Sequence, residues 1–234
     1  MLTIVPTPIG NLDDITLRAL SALREADVVA AEDTRHSGIL LKHHGISKPF
    51  VSFHEHNEAR RTAELIEELS GGRKVALITD AGMPGVSDPG MRLVRACAEA
   101  GVEYTVLPGA SAVVTAVVGS GFDATDFSFA GFLPVKSGQR RNALEAALAG
   151  RGTAVFFESP HRLVKSLAVL AEVGAERRVC VARELTKKFE EYRIGLPAEL
   201  LRHYEERPPK GEICLVLEGK DVAARRAKAA ARID

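Results

Sequence analysis

Apolar and polar positions follow two rhythms along the first half of the chain. Short β-rich runs fall at 2–5, 27–31, 50–53, 75–79 and 104–107; the unalternating apolar character of 75–79 is that of a strand covered on both faces. Segments of helical period lie between or after them, at 16–25, 35–44, 58–70, 89–100 and 111–120. In EARRTAELIEELSGG, Ala63, Leu65, Ile66 and Leu69 form one stripe, and Gly71 and Gly72 end it, as an amphipathic helix with a glycine stop requires. Strands alternating with helices predict a doubly wound parallel sheet in an α/β fold.

The second half keeps both element types and changes their spacing. Strand-like runs at 127–130, 153–157, 178–183, 191–194 and 212–217 are interspersed with helical segments at 138–149, 161–173 and 197–206. The two runs flanking Phe189 are too close together for a crossover helix, so they predict a hairpin and a mixed sheet. The expected architecture is two α/β domains, 1–117 and 118–219, with a ligand cleft between them. An Ala- and Arg-rich tail, 220–234, follows.

Composition adds the compartment. The 234 residues are 46% hydrophobic and 26% charged, as in ordinary soluble proteins. No apolar run approaches the roughly 18 residues of a membrane span, and the N-terminus has no basic segment followed by an apolar core. A cytoplasmic protein without a membrane partner is expected. Cys97, Cys180 and Cys214 are odd in number and set in apolar patterns, which suits reduced core thiols better than a disulfide or a metal site. Basic and acidic residues number 31 each, but residues 1–117 carry 11 basic against 15 acidic and residues 118–234 carry 20 against 16. Much of the basic excess lies in the tail, so net charge does not mark a nucleic-acid protein, and a local basic surface stays open.

Candidate chemistry gathers where strands end. In VALITDAGMPGVSDPG, residues 75–90, an apolar run reaches Asp80 and opens into a loop containing Gly82, Pro84, Gly85, Pro89 and Gly90. Ligands of open α/β sheets sit outside such strand ends; a plain connection into a helix capped by Ser87 or Asp88 is the competing reading. AEDTRHS crowds Glu32, Asp33, Thr34, Arg35 and His36 at the end of the second strand, either as a capped helix start or as the polar wall of a cleft. ESPHRL and ARELTKKFEE put Arg162, Arg183, Lys187 and Lys188 after apolar runs, where they suit phosphate or ordinary salt bridges.

Other motifs fall short. PTPIGNL has a single glycine, so it is no dinucleotide fingerprint, and GFLPVKS lacks the glycine before its lysine that a phosphate-binding loop needs. Ser111 imitates a hydrolase nucleophile elbow, but Val113 occupies the position that needs glycine. Ser111 reads better as a helix cap or a hydroxyl facing a ligand. His54, Glu55 and His56 lack a further ligand at metal-site spacing, so no metal is expected.

The blocks TPIGNLDDIT, AEDTRHS, HEHNE, TDAGMPGVSDPG, LPGASAV, GFLP, ESPHRL, ARELTK and KGE occur in this order over about residues 3–219. In them the chain resembles the ribosomal RNA small subunit methyltransferase I family. The resemblance implies the two-domain tetrapyrrole-methylase fold and S-adenosylmethionine as methyl donor. It also implies methylation of a cytidine ribose 2′-hydroxyl in small-subunit (16S) ribosomal RNA, as free RNA or in the assembled subunit, by a homodimer. Cofactor positions carried over are Pro8 and Gly10 of the TPIG loop; Asp80, Ala81, Gly82, Met83, Val86 and Ser87; Ser111 and Ala112; and Phe157 and Ala182. Met83 stands where the family usually has threonine and Pro6 where it often has alanine, and many relatives continue beyond the counterpart of Gly219.

Transfer to a 2′-hydroxyl asks for positioning and for a base or a cation near the oxygen. Asp33 is the candidate base or base orienter, and Arg35 and Lys187 are candidates to hold the RNA backbone or stabilise the developing alkoxide. His54, Arg162 and Arg183 are candidate substrate contacts. Two other readings stay open: a methyltransferase of this fold acting on a tetrapyrrole, and a non-catalytic RNA-binding assembly module.

Overall fold

Five short strands, β1 (Leu2–Ile4), β2 (Val28–Ala31), β3 (Phe50–Ser52), β4 (Val75–Ile78) and β5 (Tyr104–Val106), run parallel in the order β3-β2-β4-β1-β5. They belong to the first of two units, Met1–Ser111, in a computed structural model that describes residues 1–223. Alternate residues of one strand enter different cores. Val29, Ala31, Ala76 and Ile78 pack with Leu20, Leu23 and Leu41 from α1 (Leu17–Glu25) and α2 (Thr34–His43). Val28, Ala30, Val75 and Leu77 pack with Leu65, Leu69, Leu93 and Cys97 from α3 (Glu58–Ser70) and α4 (Met91–Ala100). The sheet is therefore covered on both faces, which is why its strands show no polar alternation; each buried Leu or Val contributes on the order of 1.5–3 kcal/mol.

Local chemistry sets the helix ends. The Thr16 side chain accepts from the Ala19 backbone N–H at 3.1 Å to start α1, and Asp33 accepts from Arg35 N–H at 2.8 Å to start α2. α3 ends at Gly71, as its sequence pattern requires.

The second unit begins at Ala112. It contains α5 (Ala112–Ser120), β6 (Phe127–Phe132), α6 (Ser137–Ala149), β7 (Thr153–Glu158), α7 (Leu163–Val173), β8 (Val179–Arg183), β9 (Glu191–Gly195), α8 (Pro197–Glu206) and β10 (Ile213–Leu217). The sheet order is β6-β7-β10-β8-β9, with β6 and β7 parallel and the other pairs antiparallel. One face packs on α6, α7 and α8 through Phe156, Leu163, Leu167, Leu170, Leu200 and Tyr204. The other meets α5, which packs on β7, β8 and β10.

The boundary thus falls at 111/112 rather than at 117, and α5 goes with the second sheet. AVVTAVVGS is apolar nearly all round, so its pattern carries no face that would assign it to one sheet. Residues 224–234, most of the expected tail, lie outside the described residues. Among the described residues no helix is long and apolar enough to cross a membrane, and the three cysteines are free and buried.

Candidate functional site

Three loops leave the carboxyl ends of β1, β4 and β5, which are neighbours in the first sheet. Two of them are stitched together: Thr7 N–H donates to the Gly82 carbonyl at 2.9 Å, and Gly82 N–H returns a bond to the Thr7 carbonyl at 3.0 Å. Gly82 has φ +80°, and a Cβ there would stand 3.5 Å from Ile9 and 3.8 Å from the Ala110 carbonyl oxygen. The TPIG loop with Pro8 and Gly10, the loop from Asp80 to Ser87, and the segment leading to Ser111 therefore converge on a backbone with no side chain in the way. Ser87 holds φ +66°, a left-handed conformation uncommon outside glycine.

Ser87 and Asp88 do not cap the next helix. α4 starts at Gly90, whose φ is +141°, and the Gly90 N–H donates to Glu58 Oε1 at 2.9 Å. The carboxylate that closes this loop thus comes from α3, 32 residues earlier, and no local pattern announces it.

The ends of β2, β3 and β4 carry the ionisable groups. Asp33 accepts from the Arg35 side chain at Nε (3.3 Å) and Nη2 (3.1 Å) as well as capping α2. Arg35's side-chain and backbone hydrogen bonds hold the Asp33 carboxyl down to about 2. A carboxylate so committed is a poor proton acceptor near neutral pH, which favours the orienting half of the sequence reading over the base. Arg35 itself is 90% exposed. Asp33 N–H donates to Asp80 Oδ1 at 3.1 Å, tying the two strand ends together. Burial, then the charge of Asp80, pushes the Glu32 carboxyl above its usual range. Sequence reading placed Glu32 in the cluster without giving it a role.

Several buried polar atoms here lack a partner: Ser37 Oγ, Thr79 Oγ1 and His54 Nδ1. Ser37 and Thr79 line a recess of about 20 Å³ with Thr7, Pro8, His36 and Asp80; that is room for a water and far too little for an adenosyl group. His54 has its backbone N–H on Asn57 Oδ1 (2.9 Å) and its Nε2 against Asn57 Nδ2 (3.2 Å).

In the second unit the cations read as phosphate ligands are mostly engaged. Arg162 pairs through Nη2 with Glu158 Oε1 at 2.9 Å and donates through Nη1 to the Leu133 carbonyl at 2.9 Å. The Glu158 side chain is fully buried and also accepts from Ser159 N–H and Ser166 Oγ. Arg183 pairs with Glu191 at 3.2 Å and donates to the Lys210 carbonyl. Lys187 Nζ lies 3.1 Å from Glu184 and 2.7 Å from Glu212. Burial works against its charge, yet Glu212 and Glu184 keep its ammonium above the usual range. These side chains hold loops together, a structural use that strand-end position alone cannot distinguish from ligand binding. Lys188 is exposed beside the Phe189 ring.

Phe157 and Ala182 flank Cys214 in one cross-strand row of β7, β10 and β8, so all three face the same side of the sheet. Cys214 Sγ lies 3.7 Å from the Ala112 carbonyl. The structure therefore gathers Ala112, Phe157 and Ala182 around Cys214, whose thiol burial pushes up to about 12. That cysteine is an inert wall, not a nucleophile. No group of three or more potential metal ligands occurs among the described residues.

A family model described as Tetrapyrrole (Corrin/Porphyrin) Methylases matches residues 1–201. Ribosomal RNA small subunit methyltransferase I of Pasteurella multocida is 48% identical, over 94% of this chain and 79% of its own length. Its counterpart in Thermotoga maritima is 46% identical over 94% and 99%, and that of Mesorhizobium japonicum 51% over 91% and 73%. The chain belongs to the tetrapyrrole methylases and, within them, to the ribosomal RNA small subunit methyltransferase I family. Among solved structures, uroporphyrin-III-C-methyltransferase from Thermus thermophilus covers 97% of both chains with TM-score 0.67 and 25% identity. Diphthine synthase, at TM-score 0.74 and 18% identity over 93% and 89%, shares the fold.

As a member of this family the protein is an S-adenosylmethionine-dependent methyltransferase. The residues of the first unit suit such a donor. Gly82 leaves backbone uncovered where three loops meet. Met83 packs against the core formed by Leu77 and Leu93, which anchors the loop there.

Proposed function

We propose that this methyltransferase modifies the 2′-hydroxyl of a cytidine ribose in small-subunit ribosomal RNA, acting as a homodimer. The observation that carries the reading is the 45–51% identity, over at least 91% of the chain, to proteins named ribosomal RNA small subunit methyltransferase I. S-adenosylmethionine, when bound, supplies a methyl group on a positively charged sulfur.

The chain's own residues have three tasks. The loop from Asp80 to Ser87, with Pro8, Gly10 and Ser111 beside it, holds the donor through backbone groups. Asp33 fixes Arg35 as an exposed cation for an RNA phosphate. Lys187, Arg162 and Arg183 order the loops of the second unit, leaving Lys188 as its exposed cation in ARELTKK. Exposed apolar side chains support the dimer reading: Val114 and Val118 on α5, and Phe127 and Phe132 on β6.

Incubation with methyl-labelled donor and small subunits lacking the modification tests this. Label is expected in RNA at a cytidine whose 3′ linkage becomes resistant to alkali. Label on a base, or only in a tetrapyrrole offered alongside, contradicts the reading, and sedimentation as a monomer contradicts the dimer.

A further inference from the structure

The reaction needs a group to accept the hydroxyl proton, and the first sheet offers one that the family resemblance did not assign. β2 lies between β3 and β4, with Ala31 paired to Ser52 on one side and Ile78 on the other. The chains leaving these three strand ends bring Glu32, His54 and Asp80 together. The Asp33 backbone N–H donates to Asp80 Oδ1 at 3.1 Å, which ties the residue after Glu32 to the end of β4, and Asp80, His54 and Glu55 act on the Glu32 carboxylate electrostatically. Among the described residues no Lys or Arg forms an ion pair with Glu32, whereas its neighbour Asp33 is held by Arg35.

The surroundings of His54 are also defined. Asn57 Oδ1 accepts from the His54 backbone N–H and Asn57 Nδ2 donates to the Ser52 carbonyl, which fixes the amide orientation. The same Nδ2 faces His54 Nε2 at 3.2 Å, and His54 Nδ1 is buried without a partner.

We propose that Glu32 is the catalytic base of the methyl transfer, with Asp80 and His54 as positioning residues. This rests on the acceptor being a ribose hydroxyl. The hydroxyl oxygen's electron pair forms the new O–C bond while the C–S bond breaks with its pair going to sulfur. The hydroxyl proton passes to the Glu32 carboxylate, and the neutral acid later releases it to solvent. Burial and Asp80 raise the proton affinity of Glu32, Glu55 adds to this, and His54 moderates it. An acceptor tuned toward the operating pH is what general-base catalysis requires.

The test combines three readouts on wild type, Glu32→Gln and Glu32→Asp. They are single-turnover methylation of unmodified small subunits across pH, calorimetric binding of S-adenosylhomocysteine, and ¹³C titration of the glutamate carboxyls without donor. Glu32→Gln is expected to lose about 100-fold or more in single-turnover rate with little change in ligand binding. The carboxyl signal absent from Glu32→Gln is expected to titrate above those of surface glutamates. If Glu32→Gln does not fold, Glu32→Asp, which withdraws the carboxylate by one methylene, is expected to slow transfer at unchanged ligand affinity. Wild-type rate and pH profile in a folded variant overturn the assignment, as does a loss explained entirely by weaker ligand binding. Wild type that labels no ribose overturns the acceptor reading and this proposal together; active wild type with an equally active Glu32→Gln overturns Glu32 alone.

Discussion

At the end of the parallel sheet, Ser37, Thr79 and His54 keep buried polar atoms without partners; at the charged ends of the mixed sheet, Glu158, Arg162, Arg183 and Lys187 are bound to one another's neighbours and to backbone carbonyls. A buried polar group left unsatisfied costs roughly 1–3 kcal/mol, so a fold tolerates several in one place where water or a ligand completes them. A paired charge instead fixes geometry. Crowded ionisable residues mark both regions, and only their state of satisfaction separates a candidate site from a brace.

The largest loss of stability is expected from Arg162→Ala. It leaves the fully buried Glu158 side chain without its counter-charge, and urea unfolding is expected to show a loss of about 3–5 kcal/mol. Unchanged stability with weakened RNA binding would return Arg162 to the substrate side. Next is Gly90→Ala. A Cβ at φ +141° would stand 3.1 Å from Leu77 and 3.2 Å from the Gly85 nitrogen, so a cost of about 1–3 kcal/mol is expected, accompanied by weaker donor binding in calorimetry.

Glu32→Gln sharpens the contrast by acting in opposite directions on stability and activity. Glu32's folded-state pKa is raised, so the folded protein binds more protons than the unfolded chain. The stability linked to this group is present below the ordinary glutamate range and is lost as pH rises through the folded value. Removing the charge is expected to raise Tm by ~1–3 °C at neutral pH, an increase that vanishes in acid. Asp33 has the opposite sign: its carboxyl lies at about 2, so its contribution is full above its unfolded pKa and lost as pH falls toward 2. A small effect of the opposite sign is expected for Ser37→Ala, a gain of about 1 kcal/mol in urea unfolding, because it removes a buried hydroxyl that has no partner.

Much of this was legible in the sequence where the signal is local. The period of 58–70 marks α3 to the residue, and the unalternating run at 75–79 marks a strand buried on both faces, β4. The convergence of TPIG with the Asp80 loop was available only through resemblance, because it depends on which strands are neighbours. Glu58 reaching Gly90, Glu212 reaching Lys187 and Cys214 standing between Phe157 and Ala182 are contacts between distant segments. No periodicity encodes them. The same limit explains Arg162 and Arg183, whose charge was visible while the carboxylates that neutralise them were not.

We propose that the donor is held by the glycine-rich loop at the end of the parallel sheet. Hydrogen–deuterium exchange of the whole protein with and without saturating S-adenosylhomocysteine tests it most directly. Slowed exchange is expected at backbone amides of residues 80–90; unchanged exchange there at a ligand concentration shown by calorimetry to fill the site would contradict the account.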